Sequence, residues 1–216
     1  MDTLISIHGG GMVFHRVLDL VFSTWSHVAV LRAIQDSAQG RSGREIARLS
    51  SMNHRSCLKA LTELEDLRLV ERQRGGRDHL FTLNRKHMLV AEAIIPLLRQ
   101  EREFIGAFEA FLKKQLKRNA VSVFLFGSVA RREETAGSDV DVCIIVQSKV
   151  GKTTSQDVVH GMAPEALSRF GARLSPVIFT LEEFIRGATK GQSPITDIIR
   201  DGRLVCGQSL REVMRG

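Results

Sequence analysis

Phe124-Leu125-Phe126-Gly127-Ser128-Val129-Ala130-Arg131, followed after a short linker by Gly137-Ser138-Asp139-Val140-Asp141-Val142, is the stretch from which the 216-residue chain is read. An apolar run enters a Gly-Ser turn, and a second apolar run carries two carboxylates with one residue between them. Gly127 has no Cβ, so backbone N–H groups there can come close to a triphosphate, and Ser128 adds a hydroxyl donor where a helix starts. Alternate side chains of an extended segment share a face. Asp139 and Asp141 therefore point the same way, near enough to hold one or two Mg²⁺ ions, while Val140 and Val142 turn to the core. Metal-bridged phosphates leave the α-phosphorus open to attack while pyrophosphate departs. Either half alone reads as an ordinary turn or as the wet face of an edge strand; both halves at this spacing point to nucleotide chemistry.

The combination resembles the nucleotidyltransferase superfamily of polymerase-β type, and within it the minimal, antitoxin-like branch, over residues 119–216. Gly127, Ser128, Arg131, Ser138, Asp139 and Asp141 carry the resemblance. It implies that Gly127, Ser128, Arg131 and Ser138 bind a nucleoside triphosphate and that Asp139 and Asp141 are the catalytic pair that holds Mg²⁺. A nucleoside monophosphate would then pass to a hydroxyl acceptor. Members of the family competent in catalysis also carry a third carboxylate on a later strand, where it helps bind metal and draws a proton from the attacking hydroxyl. Here the corresponding strand, Leu174 to Thr180, contains no acid. Glu182 and Glu183 follow it, in what reads as the first turn of a helix, where acids complement the dipole. The resemblance therefore leaves two outcomes open, a transferase or a domain that only binds nucleotide or a protein partner.

The net charge of +7 and a pI near 9.8 favour a polyanionic partner such as nucleic acid. Cys57, Cys143 and Cys206 are odd in number and far apart, which argues against a disulfide framework or a zinc site and makes a reducing cytoplasm the simplest location. No apolar run approaches the roughly 20 residues of a membrane span, so no membrane partner is expected. The chain contains no Tyr, which removes tyrosyl hydroxyls as acceptors of self-modification.

Residues 1–17 read as a leader: Gly9-Gly10-Gly11 precedes Met12, which is an alternative natural start. Val17 to Phe22 is a short apolar segment compatible with a strand or a helical turn. Val28, Leu31, Ala33 and Ile34 give a helical stripe that Gly40 stops. Ser42 with Glu45 forms a capping box for a second helix, and Asn53 caps a third in which Cys57, Leu58, Leu61, Leu64 and Leu67 recur at helical spacing. Two alternating segments around Gly75-Gly76 then signal a hairpin. Three helices and a hairpin over residues 18–87 resemble a winged helix-turn-helix domain of bacterial transcription regulators. That resemblance implies DNA as a partner, with His54, Arg55, Ser56 and Lys59 of the third helix facing the major groove. It also lays Arg72, Arg74 and Arg77 of the wing against the sugar–phosphate backbone. Residues 1–87 hold 13 basic and 9 acidic side chains, consistent with such a footprint.

Residues 88–118 form the longest helical pattern, a linker whose apolar stripe runs from Val90 to Leu112 and which Pro96 should kink or split. A homodimer is the economical expectation, since winged helices read paired half-sites; the antitoxin-like resemblance adds a protein partner of toxin type. Beyond the linker, strands alternate with helices, so the fold class is α/β with a mixed sheet and the site at its rim. Lys149, Gly151 and Lys152 lack the spacing of a phosphate loop and read as a solvated turn.

Overall fold

A computed structural model describes residues 13–75 and 78–215, and the chain separates into two units, Met1–Glu103 and Phe104–Gly216. The expected leader falls outside the described residues as far as residue 12.

In the first unit, helices α1 (Val17–Val21), α2 (Trp25–Ile34), α3 (Gly43–Leu49, after strand β1, Arg41–Ser42) and α4 (His54–Asp66) are followed by the strands β2 (Val70–Gly75) and β3 (Asp78–Leu83). Local capping starts α3 and α4 where the sequence predicts, but the capping box expected of Ser42 and Glu45 is only half formed, because the Glu45 carboxylate is taken by Arg41 Nη1 at 2.6 Å. The Ser42 hydroxyl accepts from the Glu45 N–H at 3.3 Å, and the Asn53 side chain accepts from the Ser56 N–H at 2.8 Å. Their apolar faces meet in one core built on Leu31, Ile34, Ile46, Leu61 and Leu64, closed by Val70 and Phe81 from the sheet. The segment at Val17 is a helix, with Val21 fully buried. Arg41–Ser42 adds a third strand to the expected hairpin, in the order β1-β3-β2. Two residues are too few to show an alternation, so only pairing with β3 reveals that strand.

The expected kink or break at Pro96 takes another form. Val90–Ile94 is a π-helical turn that runs directly into α5 (Ile95–Leu116). The Ile95 N–H donates to the Val90 carbonyl, five residues back. The wider turn accommodates Pro96, which has no N–H and whose ring would crowd the carbonyl four residues earlier. Val90, Ile94 and Leu98 belong to the first unit's core, and Phe108, Phe111, Leu112 and Leu116 to the second's, so the stripe of segment 88–118 is divided between two cores.

The second unit is a mixed sheet, β6-β5-β4-β7. Its elements are β4 (Ser122–Phe126), α6 (Gly127–Arg131), β5 (Val140–Val146), α7 (Lys149–Phe170), β6 (Leu174–Thr180), α8 (Leu181–Thr189), α9 (Ile195–Asp201), β7 (Arg203–Gly207) and α10 (Leu210–Val213). Only β5 and β6 pair in parallel. Every residue of β4 is buried, as a central strand covered on both faces requires. Strand β5 sorts its side chains by parity. Val140, Val142, Ile144 and Val146 join α5 and α7 on one face, while Cys143 and Ile145 join Phe124, Phe126, Phe184 and Ile198 on the other. Pro176 is tolerated because β6 is an edge strand, where a missing N–H leaves no second neighbour unpaired.

Lys149, Gly151 and Lys152, expected in a solvated turn, instead form the first turn of α7, capped by the Ser148 hydroxyl, which accepts from the Gly151 N–H. Helix α8 begins with a reciprocal capping box between Thr180 and Glu183, and the Glu183 carboxylate also binds Lys152 Nζ at 2.8 Å. The lysine above all, with the Thr180 N–H next, holds the Glu183 carboxyl below the usual range. A depressed folded-state value stabilises above the unfolded carboxylate range and is lost as pH falls through the lower folded value. Glu183→Ala should therefore cost about 1 kcal/mol near neutrality, the typical worth of a helix cap. In urea melts the gap to wild type should close as the solution is acidified below pH 4 or so; a penalty constant with pH would refute the assignment. Among the described residues no helix is long and apolar enough to cross a membrane.

Candidate functional site

The rim of the second sheet gathers the residues singled out from sequence. Phe126 ends β4 opposite Asp141 of β5, so the Gly-Ser turn starts beside that carboxylate. Gly127 has φ +69°, and a β-carbon built there would lie 3.1 Å from Asp141 Cγ and overlap Oδ2 outright. Only glycine brings the main chain this close to the acid. Asp141 lies on the parity opposite to Val140 and Val142, which are buried in the core. Asp139 precedes the strand and is more than half exposed. Ser128 sits half-buried in the first turn of α6.

The other predicted nucleotide ligands have partners within the chain. Ser138 Oγ accepts from the Thr135 N–H at 2.9 Å and locks the turn that leads into Asp139. Arg131 is aimed by two acids, Glu133 at 2.8 Å and Asp201 at 3.4 Å. Asp201, with Arg200 as its main partner and Arg131 second, is held below the ordinary carboxylate range. A guanidinium oriented in this way keeps donors free for phosphate oxygens.

The absent third acid can now be located. Strands β5 and β6 are parallel, with Asp141 paired to Ser175 and Val146 to Thr180. Ser175 therefore stands beside Asp141 on the same face, where a third carboxylate would complete the set. Glu182 and Glu183 lie beyond Thr180, at the other end of the strands. Five residues of strand separate Thr180 from Ser175, about 16 Å at the usual rise. Neither glutamate substitutes. Among the described residues no group of three or more His, Cys, Asp or Glu assembles as a metal site. The set that is present, Asp141 against the Gly127 backbone with Asp139 two residues before it, has the oxygen chemistry of a hard divalent cation whose remaining ligands would come from phosphates and water. Cys143, two residues along from Asp141 on the same face, is fully buried, and burial pushes its thiol up to about 12, so it is a packing residue and not a nucleophile.

Three residues at this rim have no motif in the sequence: Arg173, Ser175 and Asp201. The register of β6 and the end of α9 bring them in, and only a correct β5–β6 pairing could have named the first two beforehand.

In the first unit, His54, Arg55, Ser56 and Lys59 are all exposed on α4, with Arg55 and Lys59 on the side away from buried Cys57, Ala60 and Leu61 and His54 nearer that buried face. Arg72 and Arg74 are exposed on β2. Two of these cations already face acids: Lys59 lies 3.8 Å from Glu63 and Arg72 lies 3.2 Å from Glu65. Arg77 lies outside the described residues. A cavity of about 510 Å³ opens beside this helix, lined by Ser23, Thr24, His27, Lys59 and Glu63 among others; buried His27 spans it, Nε2 on Glu63 at 2.8 Å and Nδ1 on the Leu20 carbonyl at 3.0 Å.

Residues 106–194 match the family model described as the nucleotidyltransferase domain. The match spans the Gly-Ser turn, both aspartates and the strand with Ser175, and it supports nucleotidyl transfer as the general activity of this part of the chain. No curated protein matches the chain.

Proposed function

We propose that this chain is a winged-helix DNA-binding protein carrying a minimal nucleotidyltransferase, which transfers a nucleoside monophosphate from a Mg²⁺-bound nucleoside triphosphate to a hydroxyl acceptor. The observation that carries the transferase half is the Gly127 backbone packed against Asp141. In this reading Gly127, Ser128 and Arg131 take the phosphates, Ser138 holds the loop, and Asp139 and Asp141 bind Mg²⁺. When bound, the ion polarises the phosphates and neutralises charge as pyrophosphate leaves. Incubation with Mg²⁺ and each labelled triphosphate should transfer label, and Asp139→Asn should lower transfer by at least a hundredfold; unchanged transfer in that variant rejects the metal assignment.

Ser175 beside Asp141 favours a second reading, in which the domain binds nucleotide or a toxin-type protein partner without turnover and the chain acts as a regulator. Both readings keep the DNA-binding head. They are supported by its order of helices and hairpin and by the exposed His54, Arg55, Ser56 and Lys59 on α4, with Arg72 and Arg74 exposed on β2; the reading also assigns Arg77 to the DNA backbone. A homodimer reading two half-sites is part of the proposal. Retardation of the chain's own upstream DNA should weaken steeply with salt, and the His54/Arg55/Lys59 triple alanine should bind at least tenfold more weakly with a shallower salt slope. Equal binding by the triple variant would remove α4 from the interface.

A further inference from the structure

Arg173, immediately before β6, occupies ground that a metal site normally leaves to cations from solution. Its Nε lies 3.0 Å from Asp139 Oδ1, and its Nη2 donates to the Gly137 carbonyl at 2.8 Å. Its own carbonyl accepts from the Val140 N–H at 2.8 Å, which ties its main chain to the start of the aspartate strand. The guanidinium is therefore held on the loop that delivers Asp139, with the neutral Ser175 two residues further along. Two carboxylates and a triphosphate bring more negative charge to this rim than one divalent ion offsets. An arginine is the one side chain that supplies positive charge at every working pH and still has N–H donors to spare after two are used.

Resting on the assignment of Asp139 and Asp141 to nucleotide and metal, we propose that Arg173 takes the place of one of two divalent cations. Its guanidinium occupies Asp139 in the free protein, opposes a second cation by its charge, and turns to the phosphates when nucleotide binds. The site is then built for a single divalent ion, held chiefly through Asp141. Both departures from a three-carboxylate set make this rim less negative: Ser175 has no charge, and two positions before it stands a cation on Asp139. The ion pair itself is exposed and weak in water. The larger effect is repulsion between the fixed guanidinium and an incoming dication a few ångströms away, worth about tenfold in affinity at a partly solvated site.

The test uses the full chain and counts Mn²⁺ by the loss of its free electron-paramagnetic-resonance signal. Without nucleotide, Arg173→Ala should bind Mn²⁺ about tenfold more tightly than wild type, and Arg173→Lys should stay near wild type because the charge is kept. With Mg²⁺ present, labelled ATP and GTP should bind Arg173→Ala several-fold more weakly. The two shifts run in opposite directions, which a merely loosened loop would not produce. Equal Mn²⁺ affinity in wild type and Arg173→Ala, or no binding in either, overturns the proposal, whereas binding only in Arg173→Ala is its extreme confirmation. Asp141→Asn is the separate control: if it retains wild-type Mn²⁺ binding, the aspartate pair is not the metal site, a failure distinct from that of the arginine.

Discussion

Replacing Gly127 by alanine is expected to damage stability and nucleotide binding together. The position has φ +69°, a conformation that costs an L-residue about 1–2 kcal/mol. The added methyl would overlap Asp141 Oδ2, so either the carboxylate or the turn must move, a form of overpacking worth about 1–3 kcal/mol. Together these should lower the melting temperature of the second unit by roughly 10 °C or more, at the few degrees per kcal/mol usual for a domain of this size. If the proposed function holds, affinity for a labelled triphosphate should fall by more than tenfold, because the groups displaced are the ones it assigns to phosphate and metal. A cycle with Asp141→Ala separates the causes. Removing the carboxylate should return the clash part of the penalty and leave the backbone part, so the two substitutions should be less than additive. Additive penalties would show that Gly127 and Asp141 do not meet.

Ser175→Asp is expected to raise transfer. Ser175 pairs with Asp141 on the parallel neighbour strand, so a carboxylate there would face the same side at the same height. A positioned general base contributes about 10² to 10⁴ in rate, and the lower figure is the expectation here because neighbouring Arg173 would draw part of the new charge. Ser175→Asn, nearly the same shape without the charge, should not raise the rate. If Ser175→Asp leaves label transfer unchanged while nucleotide affinity holds, a missing base is not what limits the site, and the binding-only reading gains.

Local rules made much of the chain legible in advance. Ser42, Asn53 and the apolar spacing after each place two helices of the first unit, since capping and amphipathic periodicity act over three or four residues. The Gly-Ser turn and Asp139-Val140-Asp141 are readable for the same reason, because a strand alternates its faces and only glycine permits a close main-chain approach. The short strand Arg41–Ser42 and the π turn before Pro96 were not legible. The first exists only through its partner, and the second is a compromise between a proline and the need to keep a continuous apolar stripe.

The sequence by itself determined that a glycine-serine turn follows one buried strand and that two aspartates one residue apart stand at the start of the next, because both are confined to one short stretch of chain. Which acids lie near that pair, and which cation, was decided by the tertiary structure. The parallel register of β5 on β6 sends Glu182 and Glu183 to the far end of the strands, puts Ser175 beside Asp141, and brings Arg173 onto Asp139. Pairing between strands more than thirty residues apart is fixed by the packing of two whole sheet faces, and no local spacing encodes it.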